Sequence, residues 1–345
     1  MKTPQLSVVI IGRNEGQRLV DCIRSVQAIN DPPENVFHAK VFARKNFCVE
    51  IIYVDSDSTD GSPAQAKALG AKVRVVHPER PAAAIGRNAG WRVAQAPLVL
   101  FLDGDTILHP DFVKKAIQQL DDPQVAIVWG HRRELAPYAS VYQRVLDLDW
   151  VYPLGISEFC GGDALMRRAV LEEVDGYNPQ LIAGEEPEMC QRIRALGYTI
   201  MHIDQPMTQH DLAITQAKQY WQRAVRAGHA YAEVSTLFRN TTTPLWQSEL
   251  RKNFFKASVL TGIFMVGLIA TFLMRTWWPL ALSVLVFLLL CVRTAIKARW
   301  KSSNPLTLFL YGLHSQFQCL PIVIGQLSYY YHRWRGQRRR LIEYK

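Results

Sequence analysis

The chain lacks any paired cysteine motif. Its six cysteines (Cys22, Cys48, Cys160, Cys190, Cys291, Cys319) are scattered, with no C-x-x-C spacing. Neither a disulfide framework nor a zinc site is indicated, and reduced, mostly buried thiols in a cytosolic setting are expected. Acidic residues are scarce in one region only. Trp246–Lys345 holds 14 Lys+Arg against 2 Asp+Glu, whereas the other 245 residues hold 26 against 28. The formal net charge of +10 therefore belongs to the last hundred residues, which also carry the longest apolar runs. Basic residues flanking apolar segments fit a cytoplasmic membrane face and argue against a nucleic-acid partner. No apolar stretch near residue 1 has the length of a signal-peptide core, and Leu6–Ile11 is expected as a first strand. At 345 residues there is room for a soluble domain of ordinary size and a further region.

The first hundred residues alternate two periodicities. Leu6–Ile11, Val49–Val54, Lys72–Val76 and Leu98–Leu102 read as strands. Glu15–Ala28, Ser62–Leu69 and Ala82–Ala94 read as helices between them. Such alternation predicts βαβ units and a parallel sheet. Asn30–Phe47 is longer than an ordinary connection and reads as a surface excursion. Further on, the pattern predicts a helix from Asp111 to Leu120 and a strand over Val125–Trp129, and Phe159–Met166 carries Gly161-Gly162-Asp163. Helices over Arg168–Val174 and Glu185–Leu196 follow, then a strand Tyr198–Ile203 leading to His210.

The last third changes character. Phe254–Met274 is 21 residues with one charge, Lys256, long enough for a hydrocarbon core of about 30 Å at about 1.5 Å per residue. Trp277–Val292 is a second apolar run, with Trp277 and Trp278 as interfacial anchors. Joined by Arg275-Thr276, the two runs read as a membrane hairpin. Arg251, Lys252 and Lys256 precede it, and Arg293, Lys297, Arg299 and Lys301 follow it. Positive-inside logic puts both outer ends, and a catalytic domain attached to them, in the cytoplasm. A third segment, Leu306–Tyr331, is broken by His314, Gln316, Gln318, Pro321 and Gly325 and leads to Arg338-Arg339-Arg340. An interfacial or re-entrant helix is expected there, because a crossing would leave the basic tail on the wrong side.

The chemistry-bearing residues gather where strands end or helices begin. Leu98–Leu102 is an all-apolar strand ending in Asp103-Gly104-Asp105. A run of that kind suits a strand buried on both faces, and ligands in open α/β sheets bind beyond the carboxyl ends of such strands. Two carboxylates there make an oxygen-rich site for a hard divalent cation, usually shared with phosphates. Three further clusters are Gly12-Arg13-Asn14-Glu15, Asp55-Ser56-Asp57-Ser58-Thr59-Asp60-Gly61 and Gly86-Arg87-Asn88-Ala89-Gly90. A fourth, Gly184-Glu185-Glu186-Pro187-Glu188-Met189-Cys190-Gln191-Arg192, opens a helix. Each alone is an ordinary acidic or glycine-rich turn. Glu185, Glu186 and Glu188 alone are what a helix's first turn favours.

In order and spacing together, from Leu6 to His210, these clusters resemble glycosyltransferase family 2. The resemblance implies an α/β GT-A domain, a nucleotide-diphospho-sugar transferase fold with a Rossmann-like, mostly parallel sheet, followed by C-terminal transmembrane or interfacial helices. The expected organisation is a GT-A domain over 1–211, amphipathic linker helices over 212–250 and a membrane region over 251–345. Asp55-Ser56-Asp57 departs modestly from the family's Asp-Asp-Gly, and Glu186 stands where the family has its catalytic aspartate. What the resemblance implies for the site is a nucleotide-sugar donor held by Ile11, Arg13, Glu15, Asp55, Asp57, Arg87, Asp103, Gly104, Asp105 and Gly162. Asp55 would accept hydrogen bonds from the base, Glu15 would reach the base or ribose, and Arg87 would neutralise the diphosphate. Asp105, assisted by Asp103 and His210, would hold Mg²⁺ or Mn²⁺. Glu186, or in its place Glu185, would be the general base.

The implied activity is a membrane-anchored, inverting transfer of one sugar to a lipid-linked or cell-envelope saccharide at the cytoplasmic face of an inner membrane. Alternatives are a polyprenyl-phosphate glycosyltransferase or a catalytically silent membrane adaptor with the same fold. A sugar-1-phosphate nucleotidyltransferase is argued against, since Gly12-Arg13-Asn14-Glu15-Gly16 is too short and acidic for its phosphate loop. Gln219-Tyr220-Trp221-Gln222-Arg223 does not match the Gln-x-x-Arg-Trp signature of processive synthases, which argues against long-chain polymerisation. Tyr220, Trp221, Arg223, Arg226 and Tyr231 lie on an expected amphipathic helix, able to rest on a membrane or to pack on the protein.

Overall fold

A computed structural model describes residues 4–29 and 47–337. Most of the excursion read over Asn30–Phe47, and the arginine triplet 338–340, lie outside the described residues. The elements in chain order are β1 (Leu6–Gly12), α1 (Gln17–Gln27), β2 (Val49–Asp55), α2 (Ser62–Ala68), β3 (Lys72–Val75) and α3 (Ala83–Trp91). Next come β4 (Leu98–Asp103), β5 (Thr106–Leu108), α4 (Phe112–Gln119), β6 (Val125–Glu134) and α5 (Val141–Asp147). These lead through a 3₁₀ turn, Leu148–Trp150, to β7 (Gly155–Ser157), β8 (Ala164–Arg167), α6 (Arg168–Glu173), α7 (Glu185–Ala195) and β9 (Thr199–His210). Five helices follow: α8 (Ala217–Leu237), α9 (Gln247–Met274), α10 (Trp278–Lys297), α11 (Pro305–Phe317) and α12 (Cys319–Trp334).

The chain divides into two compact units. One runs to Leu135 and includes Trp150–Leu212; the other joins Ala136–Asp149 to the chain from Ala213 onward. The first unit is a mixed, mostly parallel α/β sheet. Its path is β3-β2-β1-β4-β8-β6-β9-β5, with β7 paired to β9. The parallel half β3-β2-β1-β4 is the one the alternating pattern predicted. Strand β8 enters antiparallel between β4 and β6, and β5 and β7 flank β9 antiparallel. β4 is an apolar run buried on both faces, since Leu98 to Leu102, which alternate between them, are all buried. Helix α3 lies close against β1: a Cβ on Gly90 would come within 2.3 Å of Val9 Cγ1.

Several boundaries differ from the expected ones. α1 starts at Gln17 because Gly16, at φ 54, breaks the chain direction just before it. β6 continues past Trp129 to Glu134, and β9 continues past Ile203 to His210. Both extensions are polar and lack the apolar alternation that marks a half-buried strand. Within Phe159–Met166, strand β8 begins only at Ala164, because Cys160–Asp163 forms an irregular, glycine-bearing turn. The short strands β5 and β7 and helix α5 were not foreseen.

The second unit is helical. α9 and α10 form a hairpin joined at Arg275–Trp277, where a Cβ on Gly267 would lie 2.0 Å from Ser283 Oγ. Close approach through small residues is how apolar helices pack without a hydrophobic drive. Among the described residues, three stretches are long and apolar enough to cross a membrane: Gln247–Met274, Trp278–Lys297 and Pro305–Trp334. The last is two helices meeting at Gln318 rather than one. Pro321 accounts for the break, since it has no N–H and its ring crowds the carbonyl four residues earlier.

Candidate functional site

The strand register builds the centre of the site. β4 ends at Asp103, a tight turn follows, and β5 pairs with β9 so that Thr106 stands opposite His210. That pairing brings the last residue of β9 back beside the turn, with His210 Nε2 3.2 Å from Asp105 Oδ1. Asp103, Asp105 and His210 each offer one ligand atom, all within 4.8 Å of one another. Two carboxylate oxygens and one imidazole nitrogen are a donor set that fits Mn²⁺ or a similar divalent cation. The turn is fixed by Thr106 Oγ1 donating to the Asp103 carbonyl at 2.7 Å and by Gly104 N–H donating to the Ile11 carbonyl at 2.8 Å. Gly104 fits closely there: a Cβ would lie 3.0 Å from Glu15 Cγ and 3.1 Å from the Ile11 oxygen.

Helix α7 supplies the second group of carboxylates. Gly184, in the left-handed region at φ 83, turns the chain into a first turn holding Glu185, Glu186 and Glu188. The three part company at once. Glu188 binds Arg192 at 2.8 and 2.9 Å, one turn further along the helix. Glu185 and Glu186 instead meet Arg87, whose Nη1 lies 2.9 Å from an oxygen of each. The same guanidinium reaches Asp103 Oδ1 at 3.0 Å through Nη2. One arginine thus joins the Asp103 turn to the start of α7. Its side chain is only 3% exposed, and the Arg87 expected to neutralise the diphosphate is held by carboxylates in this structure. Gly162 leaves the space for this: a Cβ there would sit 2.5 Å from Arg87 Nη2 and 3.3 Å from Glu186 Oε1 and Asp103 Oδ2.

Burial, and then the neighbouring Glu185 charge, pushes the Glu186 carboxyl up to about 7. Burial would raise Asp103 as well, but Arg87 and Arg132 outweigh it and hold that carboxyl below its usual value. Asp163, wholly buried, is pushed up to about 6 by burial, with Arg132 opposing.

Asp163 and Arg132 were not singled out from the sequence. Asp163 Oδ1 accepts the Asp103 N–H at 3.1 Å and its Oδ2 accepts the Thr208 hydroxyl at 2.8 Å. Arg132 Nη2 donates to Asp103 Oδ2 at 3.3 Å, and its guanidinium lies 4.8 Å above the Trp150 ring. Trp150 in turn packs edge-on against His210 at 5.1 Å. Shifts in the β6–β9 register on either side of His131 re-aim the strand there, as bulges do beside functional sites. The available signals were the His131-Arg132-Arg133 run and the Gly161-Gly162-Asp163 turn, both too common to stand alone.

The remaining expected donor-binding residues gather at the ends of β1 and β2. Asp55 is buried, and its two oxygens accept from Tyr53 Oη and from the Ser58 N–H, both at 2.7 Å. Asn14 N–H donates to Ser58 Oγ and Thr59 N–H donates to Asn14 Oδ1, both at 2.8 Å, so the two loops are stitched together. Glu15 pairs with Arg18 at 2.8 Å and lies over Gly12 and Gly104, which links this group to the Asp103 turn. Ile11 lies beside Gly86. Asp57 is exposed and faces His77 at 3.0 Å, and Arg13 is exposed.

Comparison with known proteins agrees with this geometry. The family described as Glycosyl transferase family 2 matches residues 7–175, and Glycosyl transferase family group 2 matches residues 98–296. The glycosyltransferase AglE of Haloferax volcanii is 20% identical over 206 residues, 57% of this chain and 64% of that protein. The pre-mycofactocin glycosyltransferase of Mycobacterium tuberculosis is 23% identical over 204 residues, 56% of this chain and 42% of that one. The chain thus spans less than two thirds of the length of these curated relatives. Among solved structures, the mannosyltransferase PcManGT of Pyrobaculum calidifontis, in complex with GDP-Man and Mn²⁺, superposes with a TM-score of 0.59. That likeness covers 96% of this chain and 89% of the other at 16% identity, and it speaks to the GT-A fold. With a family match over more than half its length, an α/β sheet of GT-A type and an Asp-Asp-His cluster at the end of β4, the chain belongs to the family 2 glycosyltransferases.

Proposed function

We propose that the protein transfers a single sugar, with inversion, from a nucleotide-diphosphate sugar to a lipid-linked or cell-envelope saccharide at the cytoplasmic face of a membrane. The observation that carries this reading is the Arg87 bridge. It holds the Asp103 turn and the Glu185–Glu186 pair within one guanidinium's span, so that a leaving diphosphate and an acceptor hydroxyl can be served together. Asp103, Asp105 and His210 would hold a divalent cation, Mg²⁺ or Mn²⁺, which when bound supplies positive charge to the departing diphosphate. Asp55, Glu15 and the stitched loops around Asn14 and Ser58 would receive the nucleoside, with Ile11 and Gly104 lining its approach.

Glu186 is assigned as the base. With a carboxyl raised to about 7, it is poised to accept a proton near neutral pH. It takes the acceptor hydroxyl proton as that oxygen attacks the anomeric carbon from the face opposite the diphosphate. The sugar–phosphate C–O bond breaks, and its electrons leave on the nucleoside diphosphate. Glu185 and Arg87 position Glu186, and Gly162 keeps the space in front of it open. The α9–α10 hairpin would hold this chemistry at the membrane, with its basic outer ends cytoplasmic.

The test is a thermal-shift screen of the purified protein with UDP-, GDP- and dTDP-sugars, with and without Mn²⁺. Donor at a hundred times its dissociation constant adds about 2.7 kcal/mol of stability. Asp105→Ala should abolish the Mn²⁺-dependent part of the shift. A metal-dependent shift that survives the substitution would overturn the cation assignment.

A further inference from the structure

We propose that Pro305–Trp334 does not cross the bilayer. It forms an in-plane shelf on the side that holds both outer ends of the α9–α10 hairpin, with one bare apolar stripe set against anionic lipid headgroups. The inference rests on the reading of α9 and α10 as a bilayer hairpin. By length and composition alone the stretch is able to cross; its packing argues the other way.

The first observation is what lines its middle. α8 runs beside the end of α11 and on along α12. Tyr220 Oη meets His314 Nδ1 at 2.8 Å, and Trp221 meets Phe317 at 6.0 Å between ring centroids. Farther along, His229 meets Tyr329 at 5.3 Å. Between these contacts the backbones touch: a Cβ on Gly228 would lie 1.9 Å from the Ile322 oxygen, and one on Gly325 2.0 Å from the Val225 oxygen. Yet α8 carries Lys218, Arg223, Arg226 and Glu233. If α11 and α12 spanned the membrane, their midpoint would drag those arginines to the depth where charge is most costly.

A second observation concerns depth along the hairpin. The contacts of α11 and α12 run from its outer ends to about its middle, where Leu320 and Val323 join the cluster that holds Phe264 and Phe287. Gly312 lies against the Cys291 backbone, Gln316 donates to Thr294 Oγ1 at 2.7 Å, and Cys319 packs with Ala257 and Leu260. Toward the hairpin turn, Leu268, Phe272, Leu273, Trp277 and Leu282 remain exposed.

The third observation is a stripe. Ile324, Leu327, Tyr331 and Trp334 are exposed, and their spacing of three, four and three residues puts them on one face of α12. Ile322, Gly325 and Gln326, on the opposite face, are buried. At the end of the stripe Arg335 donates to Tyr331 Oη at 2.9 Å and Arg333 to Tyr329 Oη at 3.1 Å. An apolar face with amphipathic aromatics and arginines at its edge fits a headgroup layer bearing phosphate.

The test uses the full chain in sealed vesicles. Single cysteines at Lys252, Thr276, Ser303 and Gln337 are labelled with a membrane-impermeant maleimide, with the unsubstituted protein as background. Positions 252, 303 and 337 should label from one side and 276 from the other. Labelling of 303 and 337 from opposite sides would overturn the shelf. If 276 labels with the rest, the hairpin reading fails instead, and depth decides the shelf independently. Bimane probes at 324 and 334 should be quenched alike by lipids brominated at each depth, whereas a crossing helix would separate them by about 15 Å. A probe at 327 should be quenched more strongly in phosphatidylglycerol than in phosphatidylcholine vesicles, and Arg333→Gln with Arg335→Gln should erase that difference. No difference between the two lipids would overturn the anionic-headgroup contact.

Discussion

Replacing Arg87 with methionine separates two roles for this side chain. Its guanidinium faces Asp103, Glu185 and Glu186 at 2.9–3.0 Å in a nearly closed environment. Removing one partner of a buried ion pair typically costs about 3–5 kcal/mol; here Glu185 and Glu186 lose this counter-charge together, while Asp103 keeps Arg132 at 3.3 Å. Protonation relieves part of that cost. Glu186 has a folded value, about 7, above its unfolded one. Its contribution to stability is therefore complete below the unfolded value and is lost as pH rises through about 7. Asp103 is depressed in the fold, so its contribution is present above its unfolded value and is lost as pH falls through the folded one. Without Arg87 both carboxyls move upward, and both changes weaken the fold on the alkaline side. Arg87→Met should lose about 3–5 kcal/mol near pH 8 and much less near pH 5, measured by denaturant unfolding in detergent. A loss below about 1 kcal/mol, the range of a surface pair, or an equal loss at both pH values would refute the argument. Kinetics offer a second reading. Arg87→Lys keeps the charge without the fork, so a side chain acting through Glu186 lowers kcat and leaves the donor KM in place. A raised KM with kcat intact would return Arg87 to the diphosphate.

Glu186→Gln should reduce transfer by about 10²–10⁴-fold while leaving donor-induced thermal stabilisation intact. In the unsubstituted enzyme the transfer rate should rise with pH through about 7, the value of the Glu186 carboxyl, as its carboxylate form becomes available. A pH profile unchanged in Glu186→Gln would remove that residue as the base. Gly162→Ala should cost about 1–3 kcal/mol through overpacking, since its Cβ would fall 2.5 Å from Arg87 Nη2. Wild-type stability and rate in that variant would show that the guanidinium moves aside freely.

What the sequence disclosed, and what it hid, follow one physical division. β1, β2 and β4 are buried on both faces, so their apolar runs announce them and fix the parallel half of the sheet. The aspartates at the end of β4 are legible because the apolar run stops at them. β6 and β9 behave differently. Where they approach the site, their side chains are Arg132, Thr208 and His210, polar groups buried through pairing with Asp103, Asp163 and Asp105. Buried polar positions of this kind erase the alternation that marks a strand, so both strands seem to end early. The same pairing explains why the partners of Arg87 were not legible. Fork geometry identifies an arginine as a binder of oxyanions, but the carboxylates that claim it, Glu185 and Glu186, lie 98 and 99 positions away. Only the fold brings α3 and α7 together. A local motif therefore names the chemistry of a side chain, while its partner is set by which strand ends the sheet makes neighbours.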